Sequence, residues 1–179
     1  ESLSIIDLSC NQISEFKIDL INCLTHLTNL YLNQNKITRI DADAFKHLKA
    51  LQLLDLEMNL IEFVHSDAFR ENRILKTVKL NGNRIKDVSF IQSLSLASSL
   101  DLYENQIENF DLNLLTSNNS YSNLNLSNNS IKSITRFQLK QVKSVESLNL
   151  ASNKLKIIES NDFQYLKNLN DLILRENQI

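Results

Sequence analysis

Eight asparagines set the frame of this chain. Asn11, Asn35, Asn59, Asn83, Asn105, Asn129, Asn153 and Asn177 recur at spacings of 24, 24, 24, 22, 24, 24 and 24 residues. Three positions before each stands a leucine: Leu8, Leu32, Leu56, Leu80, Leu102, Leu126, Leu150 and Leu174. Five positions before it come Ile6, Leu30, Leu54, Val78, Leu100, Leu124, Leu148 and Leu172. Eight positions before it the series runs Leu3, Leu27, Leu51, Leu75, Ala97, Tyr121, Val145 and Leu169. Two positions after it come Ile13, Ile37, Ile61, Ile85, Ile107, Ile131, Leu155 and Ile179. A unit this short cannot bury an apolar face alone, so successive units must stack and share one continuous core.

Alternation of apolar and polar residues just before each Asn predicts a short strand with one buried face, paired in parallel with its neighbours. The Asn then ends the strand. Its carboxamide both donates and accepts, so it is expected to satisfy turn backbone groups of its own repeat and the next. One Gly and no Pro leave turn-making to other residues, and Asn tolerates tight-turn conformations. A second apolar set fills the outer half of each unit. Phe16, Ile40, Val64, Val88, Phe110, Ile134 and Ile158 lie five residues past the Asn, and Ile21, Phe45, Phe69, Leu115, Leu139 and Phe163 lie ten past it. The segments 42–48 and 66–69 read as short helical turns holding a Phe inward. At about 4.8 Å per strand, eight strands make a curved slab roughly 34 Å long.

The pattern L-x-x-L-x-L-x-x-N-x-I resembles the leucine-rich repeat. The 24-residue unit with an outer Phe is similar to the typical form in animal extracellular proteins: Toll-like receptor ectodomains, Slit-type modules and insect secreted immune proteins. Ribonuclease-inhibitor-like units are longer, and plant-receptor units need Gly-Ile-Pro, which a chain without Pro cannot supply. The resemblance covers all eight repeats, with the fourth shortened by two residues around Phe90–Leu94. It implies an α/β solenoid, with a parallel sheet lining the concave face and short helical turns and loops on the outer arc. Residues 1–179 then form one domain of eight repeats, the first and last incomplete. Because the chain opens inside a strand motif and stops just past Asn177, it is expected to be a fragment whose capping units lie outside it.

Composition narrows the function. At 42% hydrophobic residues and a net charge of −2, disorder is excluded. The 19 Lys and Arg are offset by 21 Asp and Glu, which leaves no basic surface for nucleic acid. A single Gly cannot build a phosphate-cradling loop. No apolar run approaches the ~18 residues that span a bilayer. No cofactor or metal is implied: His26, His47 and His65 fall at different phases of the repeat. Asp55 and Glu57 share a face, as catalytic carboxylates do, but no nucleophile sits beside a His and no insertion forms a pocket, so the chain is expected not to be an enzyme.

The resemblance places ligands on the concave sheet, whose outward positions lie six, four and two residues before each Asn. Repeats two to five carry mixed aromatic and charged residues there, whereas repeats six and seven are small and uncharged. Tyr31, Asp55, Glu57, Lys79, Asp101 and Tyr103 are the candidate ligand-binding residues, since such side chains anchor protein interfaces. Asp55, Lys79 and Asp101 fall in one column as an acid–base–acid ladder. Cross-strand pairing that relieves like-charge repulsion explains the ladder more simply than a recognition stripe, at about 0.2–1 kcal/mol per pair.

Three triplets match the glycosylation acceptor pattern, at Asn118, Asn125 and Asn128. Asn118 is expected on the outer arc and Asn125 on the concave side; the buried role of Asn129 makes modification of Asn128 awkward. Cys10 and Cys23 are expected as buried free thiols, because two ends of one coil rarely bring Cα atoms within about 7 Å. Together these features predict a protein-binding module of an extracellular or cell-surface protein, taking a protein ligand or co-receptor. The alternatives are a cytoplasmic scaffold of the same fold and a matrix spacer.

Overall fold

The computed structural model describes residues 3–15, 23–116, 120–135, 145–159 and 161–179. Eight three-residue strands, one per asparagine, form the main sheet: β1 (Ile5–Asp7), β2 (Asn29–Tyr31), β4 (Leu53–Asp55), β6 (Thr77–Lys79), β7 (Ser99–Asp101), β9 (Asn123–Asn125), β11 (Ser147–Asn149) and β12 (Asp171–Ile173). They follow one another in sequence order and every pair is parallel. Two further parallel pairs lie outside this sheet: β3 (Arg39–Ile40) with β5 (Phe63–Val64), and β8 (Asn109–Asp111) with β10 (Ser133–Thr135). The fold is a leucine-rich-repeat solenoid with little helix.

The core is the predicted one. Leu30, Leu54, Val78, Leu100, Leu124 and Leu148 are buried behind the sheet, and the Leu three before each interior Asn is buried with them. Ala97 and Tyr121, the weakest members of their series, are buried as well. On the outer arc Phe45 and Phe69 stack at 5.9 Å, and Phe90 meets Phe69 edge-on at 5.9 Å. Phe90 stands only seven residues past its Asn, so the shortened fourth repeat keeps the aromatic column by a 3-10 turn over Ser89–Ser93 rather than by spacing. A second 3-10 turn spans Leu112–Thr116. The expected helical turns at 42–48 and 66–69 are instead non-helical turns, closed by single short-range bonds such as Leu48 N–H to the Phe45 carbonyl at 2.9 Å. Segments of seven and four residues are too short to meet the cost of helix nucleation. Phe16, Ile21 and Leu139 lie outside the described residues.

The asparagine ladder interlocks. Asn83 Nδ2 donates to the Leu80 carbonyl of its own repeat and the Leu56 carbonyl of the preceding one, both at 3.0 Å, while its Oδ1 accepts the Ile61 N–H at 2.9 Å. Asn35, Asn59, Asn105, Asn129, Asn153 and Asn177 repeat the scheme. The partner is therefore the preceding repeat, not the following one. Parallel stacking explains the direction: the turn after each strand advances beneath the next repeat's Asn. Among the described residues Asn11 bonds within its own repeat, to the Leu8 and Ser9 carbonyls.

The left-handed turn residue is not this Asn but the one before it. Cys10, Gln34, Met58, Gly82, Glu104, Asn128, Ser152 and Glu176 all have φ between 53° and 66°. Seven of these eight are not glycine, so the solenoid carries a strained backbone position in nearly every repeat.

Candidate functional site

Strand register places the candidate residues. Asp7, Tyr31, Asp55, Lys79, Asp101 and Asn125 pair consecutively across β1, β2, β4, β6, β7 and β9. The bonds Met58 N–H to the Asn81 carbonyl and Gly82 N–H to the Tyr103 carbonyl, each 2.9 Å, continue the register to Glu57, Asn81 and Tyr103. All six candidates thus lie on one concave surface over β2 to β7.

They do different work. In the first column, Asp7, Asp55, Asp101, Asn125 and Asn149 each accept, through Oδ1, the N–H of the residue two positions on, at 2.9–3.2 Å. This side-chain turn closes the strand ahead of the left-handed residue. Sequence analysis missed it; its signal was the recurrence of Asp or Asn four residues before the ladder Asn. Tyr31 and Lys79 occupy the same column without that role.

Asp55 is only 4% exposed, and Lys79 Nζ donates to its Oδ2 at 3.0 Å. That bond holds the Lys79 ammonium above its usual range, against the opposing pull of desolvation. Lys79 therefore pairs with Asp55, while Asp101 forms no ion pair among the described residues and feels the Lys79 charge only at longer range. Burial pushes Asp101 above the usual carboxylate range, partly countered by the Tyr103 N–H, and the Glu57 charge pushes it further. Tyr103 is 39% exposed, and Tyr31, half-buried, accepts a 3.4 Å hydrogen bond from Asn29 Nδ2 through its hydroxyl. Asp55 and Glu57 do not form an open carboxylate pair, since Asp55 is committed to a turn and to Lys79.

The remaining sequence candidates scatter. His26 is exposed on the outer side, and His65 Nδ1 accepts the Asp67 N–H at 3.1 Å. Among the described residues no group of His, Cys, Asp and Glu could hold a metal ion, and no helix is long and apolar enough to cross a membrane. Cys10 and Cys23 are free and exposed, not buried: Cys10 occupies the left-handed turn position, which projects from the core, and its Sγ contacts Gln34 Oε1 at 3.4 Å. Asn118 lies outside the described residues. Asn125 Oδ1 accepts from both N–H and Oγ of Ser127, at 3.2 and 2.7 Å. Asn128 is exposed and left-handed, so its neighbour's burial does not obstruct it. Two open clefts lie away from the concave face. One of about 550 Å³ lies between Lys86, Asp87, Glu108 and Asp111, and one of about 340 Å³ between Asp43, Lys46, His47 and Glu71.

The family model for the leucine rich repeat matches residues 1–61, 25–85 and 119–179. No curated protein sequence matches the chain. Among solved structures, TLR13 in a complex described as TLR13–ssRNA13 is similar at 29% identity and a TM-score of 0.77, over 94% of this chain and 24% of that one. The chain therefore spans about a quarter of the TLR13 chain it matches. Internalin C2 from Listeria monocytogenes matches at 22% identity and a TM-score of 0.67, over 98% of this chain and 73% of its own. The leucine-rich repeat domain of APL1B matches at 17% identity and a TM-score of 0.65, over 98% and 65%. These last two share the fold.

Proposed function

From the premise that the chain belongs to the leucine-rich repeat family, in its typical Toll-like form, we propose that it is a protein-binding module of an extracellular or cell-surface protein. Its ligand, a protein or co-receptor, meets the concave face over repeats two to five. The observation that carries this is a break in a structural rule. Where five repeats spend the first concave column on a turn-closing Asp or Asn, repeats two, four and eight place Tyr31, Lys79 and Ile173, which turn closure does not require. Tyr31, freed from that duty, and the exposed Tyr103 are the material of an interface.

A protein ligand is favoured over nucleic acid by charge. The outward strand positions hold Asp7, Asp55, Glu57, Asp101 and Asp171 against Lys79 and Arg175, and a phosphate backbone needs the opposite balance. The TLR13 complex contains single-stranded RNA, but that belongs to TLR13.

The test is cross-linking capture from source material with the wild-type chain, a Tyr31→Ala/Glu57→Ala/Tyr103→Ala variant, and an Ile157→Ser variant of the outer side. Asp55 stays intact because the fold needs it. A protein captured by the wild type and by Ile157→Ser, and lost with the concave variant while its circular dichroism is unchanged, is the expected result. Capture indifferent to the concave variant overturns the site.

A further inference from the structure

Nine positions before the ladder Asn, the chain stands at the edge where it enters each strand, one residue ahead of the buried series Leu27, Leu51, Leu75, Ala97 and Tyr121. Four described repeats carry His26, Ala50, Ser120 and Asn168 there, so folding asks for no large apolar side chain. Ile74 and Leu96 nonetheless hold this position ahead of β6 and β7, 39% and 52% exposed. Backbone bonds fix their alignment. Lys76 N–H reaches the Gln52 carbonyl and Ser98 N–H the Lys76 carbonyl, each at 2.9 Å, and Thr77 of β6 pairs with Ser99 of β7. Neighbouring strands lie about 4.8 Å apart, so the two side chains form one apolar ridge. Single exposed aliphatics are ordinary on a protein surface; two in register at a small or polar position are a patch. Cations frame it. Arg73 and Lys76 flank Ile74, both exposed, and neither forms an ion pair among the described residues. Glu71, the acid of this edge, is taken by Lys49 at 2.6 Å. That bond, with the more distant Arg73 and Arg70, holds its carboxyl below the usual range.

On the reading that the concave face binds a protein, we infer that this partner continues over the strand-entry edge, seating an apolar side chain on Ile74 and Leu96 and flanking carboxylates on Arg73 and Lys76. The chemistry is complementary. Interfaces pair an apolar centre with a polar surround, and opposite charge fixes the register of the two surfaces. The planar Arg73 guanidinium suits a carboxylate in particular, because it can donate two parallel bonds to it. The edge also adjoins the concave face directly, since Lys76 is the residue before β6. An anionic membrane is the poorer occupant. A bilayer drawn to Arg73 and Lys76 would also approach the acidic concave positions Asp55, Glu57 and Asp101, and the chain has no Trp to seat among headgroups.

Titration of the methyl-labelled chain with an acidic peptide, a Leu-Phe centre flanked by aspartates on both sides, tests this by NMR. Expected are saturable shifts at the Ile74 and Leu96 methyls, weakened by added salt. Affinity should fall roughly tenfold in Arg73→Gln/Lys76→Gln, which loses two exposed charge pairs. It should fall by a similar factor in Ile74→Ser/Leu96→Ser, read at the Lys76 and Ser98 amides. All four side chains are exposed, so both variants should keep the wild-type Tm. The same peptide with lysines for aspartates should leave the methyls unmoved. No methyl shift with the acidic peptide, or binding indifferent to both variants, overturns the inference. Shifts with phosphatidylserine vesicles alone would give the edge to a membrane, and shifts on diluting the free chain that the peptide does not compete with would give it to a second copy; either result also overturns it. If the peptide fails while the concave variant still loses its captured protein, only the edge is wrong; if capture is indifferent to the concave variant, the protein-binding face itself is wrong.

Discussion

The interlocked ladder makes a quantitative demand on double mutants. Replace Asn83 with Leu. Of the four backbone groups it serves, the Leu56 carbonyl keeps Asn59 at 3.1 Å, the Leu80 carbonyl keeps Asn105 at 2.9 Å, and the Asn81 carbonyl, held by Asn83 only at 3.4 Å, keeps the Met58 N–H at 2.9 Å. Only the Ile61 N–H is orphaned. A single replacement should therefore cost about 1–3 kcal/mol for that amide and roughly 0.5 kcal/mol for each half-served carbonyl, near 3 kcal/mol in all. Asn59→Leu has the same consequence one repeat back, orphaning the Ile37 N–H. The pair together also strips Leu56 of both its donors. Their costs should thus exceed additivity by about 1–3 kcal/mol. Asn35 and Asn83 share no carbonyl, so that pair should add to within about 0.5 kcal/mol. Urea unfolding of the wild type, three singles and two doubles measures both couplings. A neighbour pair that does not fold while the separated pair does is the same result at its limit. Equal coupling in the two pairs refutes the shared-carbonyl account.

Other consequences are smaller. Glu104→Gly relieves a left-handed residue at about 1–2 kcal/mol but adds backbone entropy to the unfolded chain, so it should raise stability by no more than about 1 kcal/mol; a fall in Tm contradicts this. Lys79→Met strands a buried carboxylate and should cost about 1–3 kcal/mol at pH 7, whereas Asp55→Asn keeps the turn and leaves a lysine that solvent already reaches; the denaturant midpoint should fall further for the first. Because Asp101 has a raised pKa when folded, the native state holds its proton more tightly than the unfolded state does. Its contribution is thus greatest at acid pH and declines as pH rises through the ordinary carboxylate range to the raised value. Asp101→Asn should therefore be more stable than wild type at pH 7 and lose that advantage near pH 3. When the chain is secreted from a eukaryotic cell, mass spectrometry should find glycan at exposed Asn128 and none at Asn125, whose carboxamide is bound to its neighbours.

What could be read from the sequence was whatever repeats. Leu30, Leu54 and Val78 recur in phase because every repeat must bury the same face, so the sheet, its order and the core follow from counting. The ladder Asn was legible as a position, but the direction of its bonds was not, since carboxamide chemistry is the same toward either neighbour. The left-handed column was hidden for a different reason. It tolerates Cys, Gln, Met, Glu, Asn and Ser, so no residue type marks it, and only Gly82 hints at the backbone it shares with the others. Phe90 was lost to counting because the fourth repeat is short, and space rather than spacing decides which side chain fills a column.

The concave face inverts this logic. Asp55 and Asp101 drew attention as charges, yet both first close turns, and each would be Asn without loss of that bond. A charge at such a position has to be explained by something beyond the turn. For Asp55 that is Lys79, which satisfies it within the fold. For Asp101 burial and Glu57 work against the ionised form and outweigh the Tyr103 N–H, the Asn125 carboxamide and the Lys79 charge that favour it. A solenoid that can place Asn in this column twice, at Asn125 and Asn149, has no folding reason to keep a carboxylate at 101. The same holds for Tyr31, which forgoes the turn altogether. In a repeat protein, the residues that fail to repeat where repetition would stabilise the fold are the ones to ask about function. Here Tyr31 and Asp101 lie within four adjacent strands, while Ile173 departs from the column on the last one.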